Sequence, residues 1–441
     1  MAYLPHKREE REAMLQTIGV KGIDELFSDI PEALRVKGEL GIGAPMNEME
    51  LRSKLLKLSR KNQDVTELAC FMGAGYYDHY IPAITNAIVS REEFLTAYTP
   101  YQAEMSQGFL QAIFEYQTMI CNLTGMAVSN ASMYDGATAI VEASVMAVNA
   151  LKKREKILLF GTLSTENLCV AKSYFSKMEI EFEILKSESD VVDLNQLKEK
   201  LDASVAGVVM QFPNFYGSLE DIEEISRLVH ENGSLLIVST YPIALGLLKS
   251  PGEFGADIVV GEGQSLGLEL SFGGPTFGFL ATKIEYVRLM PGRIVGESVD
   301  SKGKKAYTLT LQAREQHIKR HRALSNICSN QSLCMLKASI YMSFMGADGL
   351  EAVAYNSFQK AHFLEENLSK ISGIKVFNTA EFFNEFVIEI EGGVDRVVEM
   401  LEGVGILGGV KLSDTRFLVA VTEKRTLEEL KLYCDTVRGL S

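Results

Sequence analysis

Apolar positions recur along the chain at two different periods. After Met105, the residues Phe109, Ile113, Tyr116, Ile120 and Leu123 return every three or four positions, the spacing of one helix face, and Gly125 follows as a stop. Thr99-Pro100-Tyr101-Gln102 ahead of this run reads as a capping box, with a hydroxyl, a proline at the first helical position and Gln three residues on. A second helix is expected from Asp135-Gly136. The pattern then shortens to apolar runs at 156–160, 180–185, 205–210, 235–239, 256–261 and 277–282. Several lack alternation, as strands covered on both faces do. Helix starts fall between them, at Ser164, at Asp193 with Gln196, and at Ser218 with Asp221. Strands separated by helices predict right-handed crossovers and a mostly parallel sheet.

Beyond residue 330 the order changes. Helical stretches at 331–345 and 349–370 precede strands at 386–390 and 417–421 and a last helix from Thr426, a smaller α+β arrangement. Residues 1–60 are charged and helical in pattern, punctuated by Pro31 and by 41–45, and read as an extension that clasps something. The expected division is a helical extension over 1–70, a large α/β domain over 71–330 and a small α+β domain over 331–441.

Composition narrows the function. The 441 residues carry 44 Lys plus Arg against 58 Asp plus Glu, a net charge of −14, which disfavours wholesale nucleic-acid binding. With 46% hydrophobic residues the chain is no disordered polymer. The longest apolar stretch, 235–248, is broken by Ser239, Thr240 and Pro242 and is too short to span a bilayer. Six cysteines with no pair at two-residue spacing read as buried thiols of a reducing compartment. The charged N-terminus resembles neither an export nor a transit peptide, so a cytoplasmic protein is expected.

A large α/β domain followed by a small α+β domain suggests the aspartate-aminotransferase architecture of pyridoxal-phosphate enzymes, fold type I. That coenzyme demands a Lys for the Schiff base, a carboxylate at the pyridinium nitrogen, and a helix N-terminus for the phosphate. After the strand at 256–261, where the Lys belongs, stand Gln264 and Ser265, and the next Lys downstream is Lys283. No Asp or Glu occurs from Gly233 to Gly252, where the carboxylate should be; the strand tip reads Ser239-Thr240-Tyr241-Pro242. Ser129 to Thr138 precedes a helix as a phosphate loop should, but Asp135 brings negative charge to it. The fold fits the coenzyme and the site residues do not.

Several stretches are specific. Tyr76-Tyr77-Asp78, Thr99 to Gly108, Gln117-Thr118-Met119, Ser129-Asn130-Ala131-Ser132, Pro251 to Ile258, Met290-Pro291-Gly292-Arg293 and Arg314-Glu315-Gln316-His317-Ile318 span roughly 70 to 330. On these the chain resembles the N-terminal half of glycine decarboxylase, the P-protein of the glycine cleavage system, in the form whose halves are separate subunits. The resemblance implies that the coenzyme Lys and its covalently bound pyridoxal phosphate lie on a second, C-terminal-half subunit. It also implies the reaction: glycine loses CO₂ and its aminomethyl group passes to the lipoyl arm of the H-protein. Tyr241-Pro242 departs from the Asp-Pro expected in many relatives. On this reading no residue of the chain is catalytic or holds the coenzyme alone. The other reading is a self-sufficient decarboxylase or aminotransferase using Lys283.

Interface or substrate-channel candidates are Tyr76, Tyr77 and His79, in a polar-aromatic loop behind Gly73 and Gly75, together with Tyr101, Glu104, Arg293, Arg314 and His317. Capping accounts for Thr99 and Gln102 without a functional role. His317 and His321 have a metal-ligand spacing, but Lys319, Arg320 and Arg322 around them disfavour zinc. With Arg314 these cations form a basic cluster suited to a carboxylate or simply to solvent.

Overall fold

The computed structural model describes residues 5–38, 40–95 and 99–439. The chain divides into two compact units, Met1–Gln63 and Asp64–Ser441. In the first, the helices Arg8–Ile18 and Glu48–Ser59 are joined by short 3₁₀ turns. Asn47 and Glu50 form a reciprocal capping box on the second helix. None of the described residues of this unit is buried, and Phe27, Leu34, Ile42 and Met49 stand exposed.

The second unit is organised around a seven-stranded sheet. Its strands are β1 (Val128–Ser129), β2 (Lys156–Phe160), β3 (Glu181–Leu185), β4 (Val205–Phe212), β5 (Leu235–Thr240), β6 (Ile258–Glu262) and β7 (Gly278–Thr282). Their spatial order is β1-β7-β6-β5-β4-β2-β3. The pairs from β6 through β3 are parallel, whereas the pairs β6–β7 and β7–β1 are antiparallel, so β7 alone runs against the others. The helices α1 (Gln107–Thr124), α2 (Gly136–Ala150), α3 (Thr165–Met178) and α4 (Ile222–Glu231) pack against this sheet. Both faces are covered, which explains the missing alternation. Along β5, Leu236 and Val238 join Phe109, Ile113 and Tyr116 of α1, while Leu235 and Ile237 join Ile140, Ala143 and Ala147 of α2.

All six apolar runs are strands, and Gly125 ends α1 in the left-handed conformation (φ 71°). Three expectations about helix starts need correction. The helix after Thr99 begins at Gln107, because 103–105 is a separate 3₁₀ turn, and Met105 is exposed. A tertiary tie sets that start: the Gln107 amide bonds both backbone groups of Tyr307 (2.8 and 2.9 Å) and the Ala103 carbonyl (2.7 Å). Asp221 alone caps α4, since the Ser218 hydroxyl donates to Asp190 at 2.7 Å. Asp193 caps through Asn195 without Gln196.

The C-terminal part carries α5 (Ser332–Leu368), interrupted at Gly346 (φ 63°, ψ −172°) where the sequence predicted two helices. A four-stranded antiparallel sheet of Ile374–Val376, Glu385–Ile390, Arg416–Ala420 and Val410–Lys411, in that spatial order, has its own core of Phe386, Ile388, Phe417, Leu430 and Tyr433. Asp190 joins this part to the large sheet, accepting from Ser218 and from the Thr379 and Ala380 backbone at 2.7–3.1 Å. Among the described residues no helix is long and apolar enough to cross a membrane. All six thiols are free, but Cys169 and Cys328 are exposed, a correction to the expectation that all were buried: Cys169 stands on α3 outside its buried stripe and Cys328 precedes α5 in a loop.

Candidate functional site

A cavity of about 470 Å³ opens at the carboxyl ends of β4, β5 and β6, where open parallel sheets bind ligands. Gln211, Tyr241 and Glu262 at those strand ends line it, with Asp135 and Ser164 at the starts of α2 and α3. No lysine, arginine or histidine is among its described lining residues.

Residues 73–77 form one wall, and the loop through Tyr80 is held by several contacts. Gly73 lies so close to Glu385 that a Cβ would fall 2.0 Å from its Oε1. The Ala74 N–H and the Tyr77 hydroxyl donate to the two Glu385 oxygens (2.7 and 2.8 Å). Burial pushes the Glu385 carboxyl up to about 7 against those two hydrogen bonds. Asp78 pairs with Lys424 (2.6 Å) and Arg425 (3.1 Å). His79 is buried between Glu423 (Nδ1 to Oε2, 2.5 Å) and the Tyr241 hydroxyl. Burial works against the Glu423 charge, yet His79 beside it holds that carboxyl below the usual range. The rings of Tyr77 and Tyr241 pack at 4.3 Å between centroids.

The residues present do not fit pyridoxal phosphate. Gln264, where the lysine belongs, is buried and exchanges two hydrogen bonds with Tyr77: its Oε1 accepts the Tyr77 N–H (2.9 Å) and its Nε2 donates to the Tyr77 carbonyl (3.2 Å). An ammonium has no acceptor and could not replace it. The Ser265 hydroxyl is buried without a partner. The end of β5 offers Ser239, Thr240 and Tyr241 in place of a carboxylate. At the start of α2, Asp135 accepts the Thr138 N–H (2.7 Å) and Glu262 accepts the Gly136 N–H (3.1 Å), so two carboxylates hold the donors a phosphate would use. Lys283 follows β7, whose end pairs with the start of β6, and its ammonium contacts Asp257. That places it about 13 Å along the strand from the cavity, at the opposite ends of the strands.

Of the sequence candidates, Tyr76 and Tyr77 line this cavity and His79 supports it through Tyr241. The others lie elsewhere. Arg293 is buried and donates to the Tyr101 hydroxyl (3.0 Å) and to Ser329 (3.1 Å), with its guanidinium 5.3 Å from the Tyr101 ring. His317 meets the other edge of Tyr101 at 6.0 Å between ring centroids. Arg314 is not free for a carboxylate, because it donates to the backbone carbonyls of Met290 and Gly292. Glu104 is exposed on its 3₁₀ turn. His317 and His321 do not share a helix face: the helix ends at Lys319, and Arg320 turns left-handed (φ 56°). Sequence reasoning missed Glu262, Glu385 and Glu423. Glu262 had a signal, a carboxylate between two glycines directly after an apolar strand; Glu385 and Glu423 are brought to the site only by folding.

A family model described as "Glycine cleavage system P-protein" matches residues 1–436. A protein of Listeria innocua named probable glycine dehydrogenase (decarboxylating) subunit 1 is 47% identical, with 99% of each chain covered. A protein of the same name from Desulforamulus reducens is 47% identical over the whole of both. Among solved structures, a crystal structure of glycine decarboxylase (P-protein) of the glycine cleavage system, in inhibitor-bound form, superposes with a TM-score of 0.92 at 38% identity over 100% of each chain. A cysteine desulfurase from Thermococcus onnurineus NA1 shares the fold alone (TM-score 0.63, 14% identity, 90% of this chain and 99% of that one). The architecture is that of the fold type I pyridoxal-phosphate enzymes.

Proposed function

The chain belongs to the glycine cleavage system P-protein family, and we infer that it is the coenzyme-free first subunit of a two-subunit glycine dehydrogenase (decarboxylating). The observation that carries this reading is Gln264 and Ser265, where the sequence reading puts the lysine, beside a cavity with no lysine among its described lining residues. Decarboxylating glycine leaves a carbanion that needs an electron sink, which is the chemistry pyridoxal phosphate supplies. In this reading it is bound covalently on a second subunit, glycine reacts there, and the aminomethyl group passes to a lipoylated H-protein, in the cytoplasm. The chain itself contributes walls and support. The exposed faces of Tyr76, backed by the buried Tyr77, and of Tyr101 and His317, backed by the buried Arg293, are the parts best suited to face the partner. An obligate interface of this kind buries on the order of 2,000–5,000 Å². The division into an extension to 70, a large domain over 71–330 and a small one over 331–441 belongs to the same reading.

The test uses the full chain. Purified alone, incubated with pyridoxal phosphate, desalted and then reduced with borohydride, it should carry no stoichiometric label at a single lysine and release no CO₂ from glycine; co-expressed with the second subunit, the complex should decarboxylate glycine when H-protein is added. A stoichiometric borohydride-stable adduct at one lysine of the isolated chain, Lys283 included, would overturn the reading.

A further inference from the structure

The lost lysine is one difference from a coenzyme site, and the start of α2 holds another. The Glu262 carboxylate collects four donors. Its Oε2 accepts the Gly136 N–H at 3.1 Å and the Tyr76 hydroxyl at 3.3 Å; its Oε1 accepts the Gln264 N–H at 3.1 Å and the Thr276 hydroxyl. A helix N-terminus, a second backbone amide and two hydroxyls are the donor set from which phosphate cradles are made. The fit is tight: a Cβ on Gly136 would lie 2.9 Å from the Glu262 nitrogen. Asp135 occupies the next donors, the Thr138 N–H (2.7 Å) and hydroxyl (3.0 Å).

We propose that the Glu262 carboxylate takes the place of the coenzyme's phosphate, so that an internal anion closes this cavity to pyridoxal phosphate independently of the missing lysine. An incoming phosphate dianion would have to displace one carboxylate from its hydrogen bonds and then face another. No lysine, arginine or histidine among the described lining residues offsets that repulsion. Burial pushes the Glu262 carboxyl up to about 7 against the pull of Thr276 and Gly136, with Asp135 pushing the same way. Asp135 is a second acidic group in the same buried site, and a further anion has no place beside the two. The proposal deepens the reading of a coenzyme-free subunit and rests on it.

Four full-length forms test it: the natural chain, Q264K, E262A and the double variant E262A/Q264K. Each is titrated with inorganic phosphate by calorimetry, then treated with pyridoxal phosphate and borohydride and mapped by mass spectrometry. E262A should bind phosphate at least tenfold more tightly than the natural chain. The double variant should carry a reduced adduct at position 264, and Q264K alone should not. Labelling of Q264K to the same extent as the double variant, or no gain of phosphate affinity in E262A, overturns the proposal. Should E262A fail to fold by circular dichroism, E262Q, which keeps the volume and removes the charge, must gain at least threefold, and an unchanged affinity overturns the proposal equally. A stoichiometric adduct at a single lysine of the natural chain would instead overturn the coenzyme-free reading, so the two failures are distinguishable.

Discussion

Gln264 shows how a single amide specifies a site. It is buried and satisfies both backbone groups of Tyr77 while also donating to the Leu268 carbonyl at 2.8 Å. Q264K supplies donors only and strands the Tyr77 N–H. Leaving such a buried donor unpaired costs about 1–3 kcal/mol. Urea unfolding should record that loss with the fold intact, since a domain has about 5–15 kcal/mol in hand. Glu385 makes a different prediction at the same scale. Its carboxyl lies near 7 in the folded chain and near 4.5 in the unfolded one, so between these values the native state holds the extra proton. Stability from this group is therefore complete below about 4.5 and is lost as pH rises through 7. E385Q can still accept from Ala74 while donating to the Tyr77 oxygen, and it does not titrate. Its stability relative to the natural chain should improve from pH 6 to pH 8, as measured by denaturant midpoints; a constant difference would contradict the assignment.

At the scale of elements, the start of α2 is the instructive case. Asp135 and Thr138 form a reciprocal capping box in which the Asp135 side chain accepts the Thr138 N–H. D135A should cost about 1 kcal/mol, the usual worth of such a cap, whereas D135N should retain most of it. Thermal midpoints of the two variants separate the cap from the charge. A different helix start explains an error of sequence reasoning. The start of α1 is set by Gln107 binding Tyr307, two hundred positions away, and no local capping rule contains that contact. The N-terminal helices pose the converse problem. They carry caps and apolar residues but bury none of the latter, and isolated helices of 11 and 12 residues are marginal in water. Their amides should exchange with deuterium orders of magnitude faster than those of β4 to β6 in the isolated chain, and be slowed once the second subunit is added. Protection equal to the sheet in the isolated chain would rule out that picture.

For the whole molecule, the sequence by itself determined the sheet and its class. Six apolar runs, several of them without alternation and the first four separated from one another by capped helices, follow from local periodicity and from the need to cover two faces. It also carries the expectation of a missing lysine, because the amine's position relative to a strand is a matter of counting along the chain. What only the tertiary structure decided is what fills the resulting site. Glu262 reaches the start of α2 from a strand 126 residues on, Glu385 meets Tyr77 across 308 residues, and Glu423 meets His79 across 344. These carboxylates, Glu262 with only its place between two glycines as a local sign and the other two with none, become an anion plug and a loop anchor only when separate elements bring donors to them, since hydrogen bonding depends on distance in space and carries no memory of distance along the chain.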